Sequence, residues 1–280
     1  MIEYWQALTN PDIPFLLYAL IAGALASVPF GIVGSFVVVR RISFIAGAIS
    51  HCVLGGIGAA LYLSTVRGWT WCHPLMGAVV AALVAAITIG VISLRAKQRE
   101  DTVTGAIWAL GMATGLLFIA KTPGYVDPMS YLFGNILLIS KSDLWLIVGL
   151  DLLVLGIILL SYHKFICLCF DEEYARSKGM RVDLLYMLLL CLTALTIVLL
   201  VSVVGVVMVI AFLTIPAAIA DIVTKRMRSL VLLSIVLTLV FMSAGLGLSY
   251  VHDLPSGPVI IALAGSVYLL MIGGRQLLRR

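Results

Sequence analysis

Seven stretches of this chain contain no charged residue: 13–39, 42–66, 68–94, 102–120, 184–220, 229–251 and 254–274. An eighth, 144–162, is interrupted only by Asp151. A helix needs roughly 20 apolar residues to cross the hydrocarbon core of a bilayer, and most of these runs are longer. The chain is 62% hydrophobic and 11% charged. Soluble domains carry about 25% charged residues, so this composition cannot cover a water-facing surface. Lipid is the solvent these runs require, and the expected fold is an all-α polytopic membrane protein. The amino-terminal residues include Glu3 and Asp12 with no basic residue before the first run. That is unlike the positive start of a signal peptide, so the first run is expected to stay as a helix.

The run from Leu184 to Ala220 is too long for one helix and suits two short spans turning near Val203–Gly205. The resulting expectation is eight to nine spans, at about 14–39, 43–63, 74–94, 102–120, 143–162, 183–203, 206–223, 230–251 and 257–274. Fifteen of the 18 basic residues fall in alternate gaps: Arg40, Arg41, Arg95, Lys97, Arg99, Lys164, Arg176, Lys178, Arg181, Lys225, Arg226, Arg228, Arg275, Arg279 and Arg280. Only Arg67, Lys121 and Lys141 remain for the other face. The positive-inside rule places the carboxyl terminus in the cytoplasm and the amino terminus outside. The net charge of +5 is thereby explained by topology and gives no argument for nucleic acid. The segment 126–140 (VDPMSYLFGNILLIS) is apolar but too short to span, and reads as a re-entrant or interfacial piece.

Glycines recur inside the spans: Gly23, Gly31, Gly34, Gly47, Gly55, Gly56, Gly58, Gly77, Gly105, Gly111, Gly115, Gly205, Gly245 and Gly247. Apolar helices gain little from the hydrophobic effect when lipid surrounds them, so close approach through small residues holds such a bundle together. Pro29, Pro216 and Pro258 lie within or at the edges of spans, where a freed carbonyl is tolerated if it lines a cavity. The five cysteines form no CxxC pair, and Cys52 and Cys191 read by default as small buried thiols.

The longest polar stretch, FDEEYARSKGMRVDLL (170–185), opens with Asp171, Glu172 and Glu173 and continues with Arg176, Lys178 and Arg181. Acids first and bases last complement a helix dipole, and Gly179 is a natural stop. A helix of about two turns, near 171–179, is expected across the cytoplasmic face, as a solvated connector or as a docking helix. Together with RRISFIAGAISHCVLGG (40–56), EDTVTGAIWALGMATGLL (100–117), YLFGNILLIS (131–140), VVGVVMVIAFLTIPAAIADIV (203–223) and LSYVHDLPSGPVIIAL (248–263), this stretch resembles permeases of the zinc/manganese/iron family of ATP-binding-cassette importers, the ABC-3 family. The likeness runs in order through nearly the whole chain.

The resemblance implies a single permease domain over 1–280 and a dimer of permease subunits, homomeric or heteromeric. It also implies two cytoplasmic ATPases and an extracytoplasmic metal-binding protein. The helix at 171–179 would then be the coupling helix seated in the ATPase, with Asp171, Glu172, Glu173, Ala175 and Gly179 as its contact residues. The chain has no GxxxxGK[ST] motif, so ATP hydrolysis is assigned to a separate subunit and the chain is not itself an enzyme. No cofactor is expected to be bound by this chain, the divalent ion being its substrate. The implied location is a bacterial cytoplasmic (inner) membrane.

Among titratable residues His51 stands out, because no charge lies between Ile42 and Val66 and an ionisable group at that depth is a functional-site candidate. Imidazole suits zinc, iron and similar divalent metals. In the resembled family the equivalent histidine belongs to a D-x-x-x-H pattern, with carboxylate and imidazole one turn apart on the same helix face. Here the aspartate position is Gly47. A carboxylate from a heteromeric partner, one of Asp101, Asp127, Asp151 or Asp221 from elsewhere in the fold, or the thiol of Cys52 are the three ways to complete the site. Asp151, mid-span, must pair, protonate or face water. Structural readings stand beside these: His51 bonded to a neighbouring carbonyl, Asp221 snorkelling to water, Asp101 at a helix start, and His73, His252 and Asp253 as solvated loop ends. Other function classes remain open. They are a permease for an iron chelate or cobalamin, an ion-coupled secondary carrier using Asp151, and, last because HExxH and GxSxG are missing, a membrane enzyme.

Overall fold

The computed structural model describes residues 14–69, 71–95, 100–123 and 141–278, and every regular element among them is an α-helix. In chain order these are α1 (Pro14–Val39), α2 (Ser43–Val66), α3 (Pro74–Arg95), α4 (Glu100–Lys121), α5 (Lys141–Phe170), α6 (Glu172–Ser177), α7 (Val182–Val204), α8 (Val206–Val223), α9 (Met227–His252) and α10 (Ser256–Leu278). Among the described residues, nine of them are long and apolar enough to cross a bilayer, all except the six-residue α6. The expected re-entrant segment 126–140 lies outside the described residues, as does Asp127.

Helix ends follow the local chemistry. The sequence predicts the fifth span over about 143–162, but α5 continues to Phe170. No glycine or proline interrupts the stretch from Tyr162, and a lysine such as Lys164 can carry its charge to the interface along its apolar stem. The long run from Leu184 breaks at Gly205, whose φ of 83° and ψ of 157° fall in a region that only glycine enters freely. Tyr186 near the start of α7 lies beneath Arg40, while Asp221 and Thr224 at the end of α8 share a cavity with Val38 and Val39 of α1. The start of α7 and the end of α8 are therefore on one face, and the chain reverses at Gly205.

The same face gathers the ends of α1, α3 and α5 and the start of α9. Ser93 near the end of α3 is 3.4 Å from the Tyr186 hydroxyl, and Arg40 donates to the Leu168 carbonyl of α5. This is where the basic gaps converge, and it is called the basic face below.

At the centre α2 packs against α3, α4, α7 and α8. Its glycines make this possible. A methyl added at Gly56 would collide with the Gly77 carbonyl of α3, and one at Gly77 with the Gly56 carbonyl. On the other side Gly55 and Gly58 of α2 meet Gly111 and Gly115 of α4. On the far side of the bundle α1 packs against α5, α8 and α9, where Gly34 abuts the Leu213 carbonyl and Gly31 abuts Ile235. The Phe30 and Phe212 rings, 5.8 Å apart, pack α1 against α8. In lipid such shape matching replaces the hydrophobic drive of a soluble core.

Candidate transit and coupling sites

His51 lies on the face of α2 that meets α4, and it is 7% exposed. Its ring stacks on Trp108 of α4 with centroids 4.5 Å apart and planes 15° from parallel. Its Nδ1 is buried and has no hydrogen-bond partner among the described residues. Among the described residues no carbonyl accepts from this nitrogen. One turn earlier Gly47 faces the same indole. A Cβ there would sit 3.5 Å from Trp108 Cζ3, an ordinary contact, so the position has room for a first side-chain carbon. The glycine is thus not demanded by packing, in contrast to Gly55, Gly56 and Gly58.

Cys52 is buried, and its Sγ donates to the Ile107 carbonyl at 3.2 Å. It also borders an apolar groove of about 680 Å³ between α2, α3 and α4, which His51 does not line. Asp151 on α5 is 5% exposed, and its Oδ1 has no hydrogen-bond partner among the described residues. Its helix packs against α1 and α7. Asp221 lies exposed in a cavity on the basic face, and Asp101 is exposed in the first turn of α4. The imidazole Nδ1 of His73 accepts from the Leu75 amide, which fixes it as a local turn former. His252 and Asp253 are exposed where α9 ends. Among the described residues no three His, Cys, Asp or Glu side chains come together as a metal-binding group. None of Asp101, Asp151 and Asp221 therefore joins His51 and Cys52 to complete such a set.

The short helix expected near 171–179 is α6, six residues long. Asp171 is the N-cap, and its carboxylate accepts from the Tyr174 amide at 2.8 Å. Ala175 is fully buried and seats the helix on the bundle. Gly179, at φ 75°, closes the far end, with its amide donating to the Arg176 carbonyl and the Met180 amide to the Ala175 carbonyl. Glu173 is exposed on the helix surface, whereas Glu172 beside it is half-buried.

Two residues that carry these sites are not evident from sequence spacing. Trp108 sits in the family-like stretch 100–117, but nothing in one dimension pairs it with His51. Arg40 reads in the sequence as one topogenic charge among many. In the fold it binds four elements together: its guanidinium is on α1's end, 2.7 Å from Glu172 of α6, 3.1 Å from the Leu168 carbonyl of α5, and 5.7 Å above the Tyr186 ring of α7. The Arg40 hydrogen bond holds the Glu172 carboxyl below its ordinary range, and Arg176 adds to the effect. Arg176 also pairs with Asp183 at 2.7 Å, tying α6 to the start of α7.

The likeness to known proteins covers nearly the whole chain. A profile of the ABC 3 transport family matches residues 12–274. A Chlamydia pneumoniae protein named "Probable metal transport system membrane protein" is 40% identical over 254 residues, covering 90% of this chain and 86% of the relative. The manganese transport system membrane protein MntC of Halalkalibacterium halodurans is 32% identical over 257 residues, covering 91% and 86%. Among solved structures, a chain of PsaBC from Streptococcus pneumoniae in complex with Fab superposes with a TM-score of 0.84 at 30% identity, covering 96% of this chain and 95% of that one. The protein is a multi-pass membrane protein, and it belongs to the ABC 3 transport family.

Proposed function

We propose that this protein is the permease subunit of an ATP-driven importer for a divalent transition metal, with manganese the foremost substrate and zinc and iron the alternatives. The observation that carries the reading is the full-length likeness to a manganese permease, joined to a capped helix α6 anchored by Arg40. ATP hydrolysis belongs to a separate pair of subunits on the basic face, which is the cytoplasmic side and holds the carboxyl terminus. An extracytoplasmic binding protein delivers the ion at the opposite face. The whole chain acts as one permease domain in an inner membrane.

In this reading Phe170, Tyr174 and Leu184, exposed around α6, form the seat for the ATPase. Movement of α6 is felt first at Arg40, because that side chain holds Glu172 and the end of α5. Arg40 stands at the junction of α1 and α2, and His51 lies roughly 12 Å further along α2 at 1.5 Å per residue. A stroke at α6 thus tilts the helix that carries the imidazole, and the Trp108 stack fixes the plane in which that imidazole meets the ion. The buried, unpartnered Nδ1 supports a ligand role for His51. Gly47 supplies no carboxylate, so a second, non-identical permease subunit is the source the reading favours. Purification of an active complex containing this permease alone would overturn that part.

The test is uptake of radioactive manganese, zinc and iron into cells carrying this permease with its ATPase and binding protein. Uptake of one metal that vanishes with an ATPase-dead subunit is the expected result. Uptake that survives the dead ATPase would instead favour a secondary carrier.

A further inference from the structure

We propose that a cavity on the basic face, between the ends of α1 and α8 and the start of α9, binds the phosphate headgroup of an anionic phospholipid. The cavity measures about 280 Å³ and is lined by three cations, Arg41, Lys225 and Arg226, against one acid, Asp221. Among the described residues none of the four makes an ion pair. This differs from the neighbouring α6, where Arg40 and Arg176 are both paired. Unpaired cations around a concave site attract a multivalent oxyanion, and basic pockets between helices at the cytoplasmic interface suit anionic headgroups.

Three further observations point the same way. Arg226 is the N-cap of α9 and makes no side-chain cap, so a 26-residue helix begins at this cavity with amide donors left for an anion. The wall also includes Val39 and the buried Leu230, an apolar surface of the kind an acyl chain would follow out of the headgroup site. Finally, Arg41 adopts φ 62° in the turn that ends α1, where its amide donates to the Val38 carbonyl and the Ile42 amide to the Val37 carbonyl. The equivalent turn after α6 uses Gly179. A turn of this form prefers glycine, so an arginine held there in the left-handed region needs a use for its side chain.

Topology alone would explain positive charge at this interface, but not its convergence on one cavity. The test separates the two. The full-length permease is purified in detergent with equal parts of phosphatidylglycerol and phosphatidylcholine, and retained lipid is read by native mass spectrometry. The wild-type chain is expected to keep phosphatidylglycerol in preference. Each cation near an anionic headgroup is worth about fivefold. The Arg41→Gly/Lys225→Gln/Arg226→Gln variant should therefore retain at least about tenfold less. Arg41→Gly keeps the turn, because glycine favours that backbone. A Lys164→Gln/Arg275→Gln control, which removes charge from the same face away from the cavity, should retain wild-type amounts. Asp221→Asn should raise retention about twofold, and this variant decides the matter if the triple variant does not fold.

Equal retention by the triple variant and the wild type, or no rise with Asp221→Asn, overturns the proposal. Binding of inorganic phosphate to the cavity with no phosphatidylglycerol retained would also overturn it, by assigning the cavity to a free anion. So would a crosslinker at Lys225 that captures the ATPase in the assembled complex while no phosphatidylglycerol is retained.

Discussion

The centre of the bundle around α2 and the short helix α6 on the basic face hold their positions by opposite means. Around α2 backbone meets backbone: Gly56 faces Gly77, and Gly55 and Gly58 face Gly111 and Gly115. Around α6 the ties are charged: Arg40 to Glu172, and Arg176 to both Glu172 and Asp183. The reason is the solvent. In hydrocarbon an unpaired charge is costly and shape is what remains, whereas at a wet interface ion pairs cost little to form and to break. In the proposed reading, the rigid region is the one the ion would cross and α6 is the element that an ATPase would move.

The comparison breaks most visibly at the glycines. Gly56→Leu forces α2 and α3 apart and should cost about 3 kcal/mol, the upper end of what overpacking a tight core costs. Loss of the monodisperse peak in size-exclusion chromatography would register it. Gly105→Ala meets nothing within 4 Å and should leave that peak unchanged. A normal profile for both would show that close helix approach is not what holds α2.

The next largest effect falls on transport. His51→Ala should lower metal uptake on the order of tenfold, as loss of a metal-site group commonly does, without lowering the amount of folded protein. Trp108→Leu should fall between that variant and the wild type, while Trp108→Phe, which keeps an aromatic face for the imidazole, should recover most of the loss.

At α6 the effects are smaller. Arg40→Ala removes charge-assisted hydrogen bonds and should weaken local protection of residues 171–183 from hydrogen exchange by about 1–2 kcal/mol. The Asp171→Ala loss of the N-cap should cost about 1 kcal/mol in the same measurement, and Asp171→Ser should restore most of it. The pH dependence has a definite sign. Arg40 lowers the folded-state pKa of Glu172, so the carboxylate stabilises α6 above the ordinary glutamate range. That contribution is lost as pH falls through the lowered value. Glu172→Gln should abolish this acid dependence while leaving the neutral-pH protection reduced and flat.

Much of the architecture is legible in one dimension because lipid imposes a severe filter. Charge-free runs give the spans, and Gly205 marks the break in the longest of them. Asp171 and Gly179 bound α6 because a carboxylate cap and a left-handed residue each have a local cause. The site is less legible. His51 is visible as an ionisable residue in an apolar run, but its partner Trp108 is brought to it by the packing of α2 against α4. Arg40 and Glu172 are 132 residues apart, and no local rule joins them. The end of α5 is not legible in the sequence, because Lys164 reads as a boundary although a lysine near an interface can remain helical. Asp151 is visible as an anomaly in both sequence and structure, with no companion acid, histidine or cysteine forming a metal-binding group among the described residues.

The most direct test measures ATP hydrolysis and manganese uptake together in proteoliposomes containing the assembled complex. The account predicts that His51→Ala keeps hydrolysis and loses uptake, whereas Arg40→Ala weakens both, because α6 no longer transmits between ATPase and permease. Wild-type uptake by His51→Ala, or unchanged hydrolysis and uptake by Arg40→Ala, would contradict it.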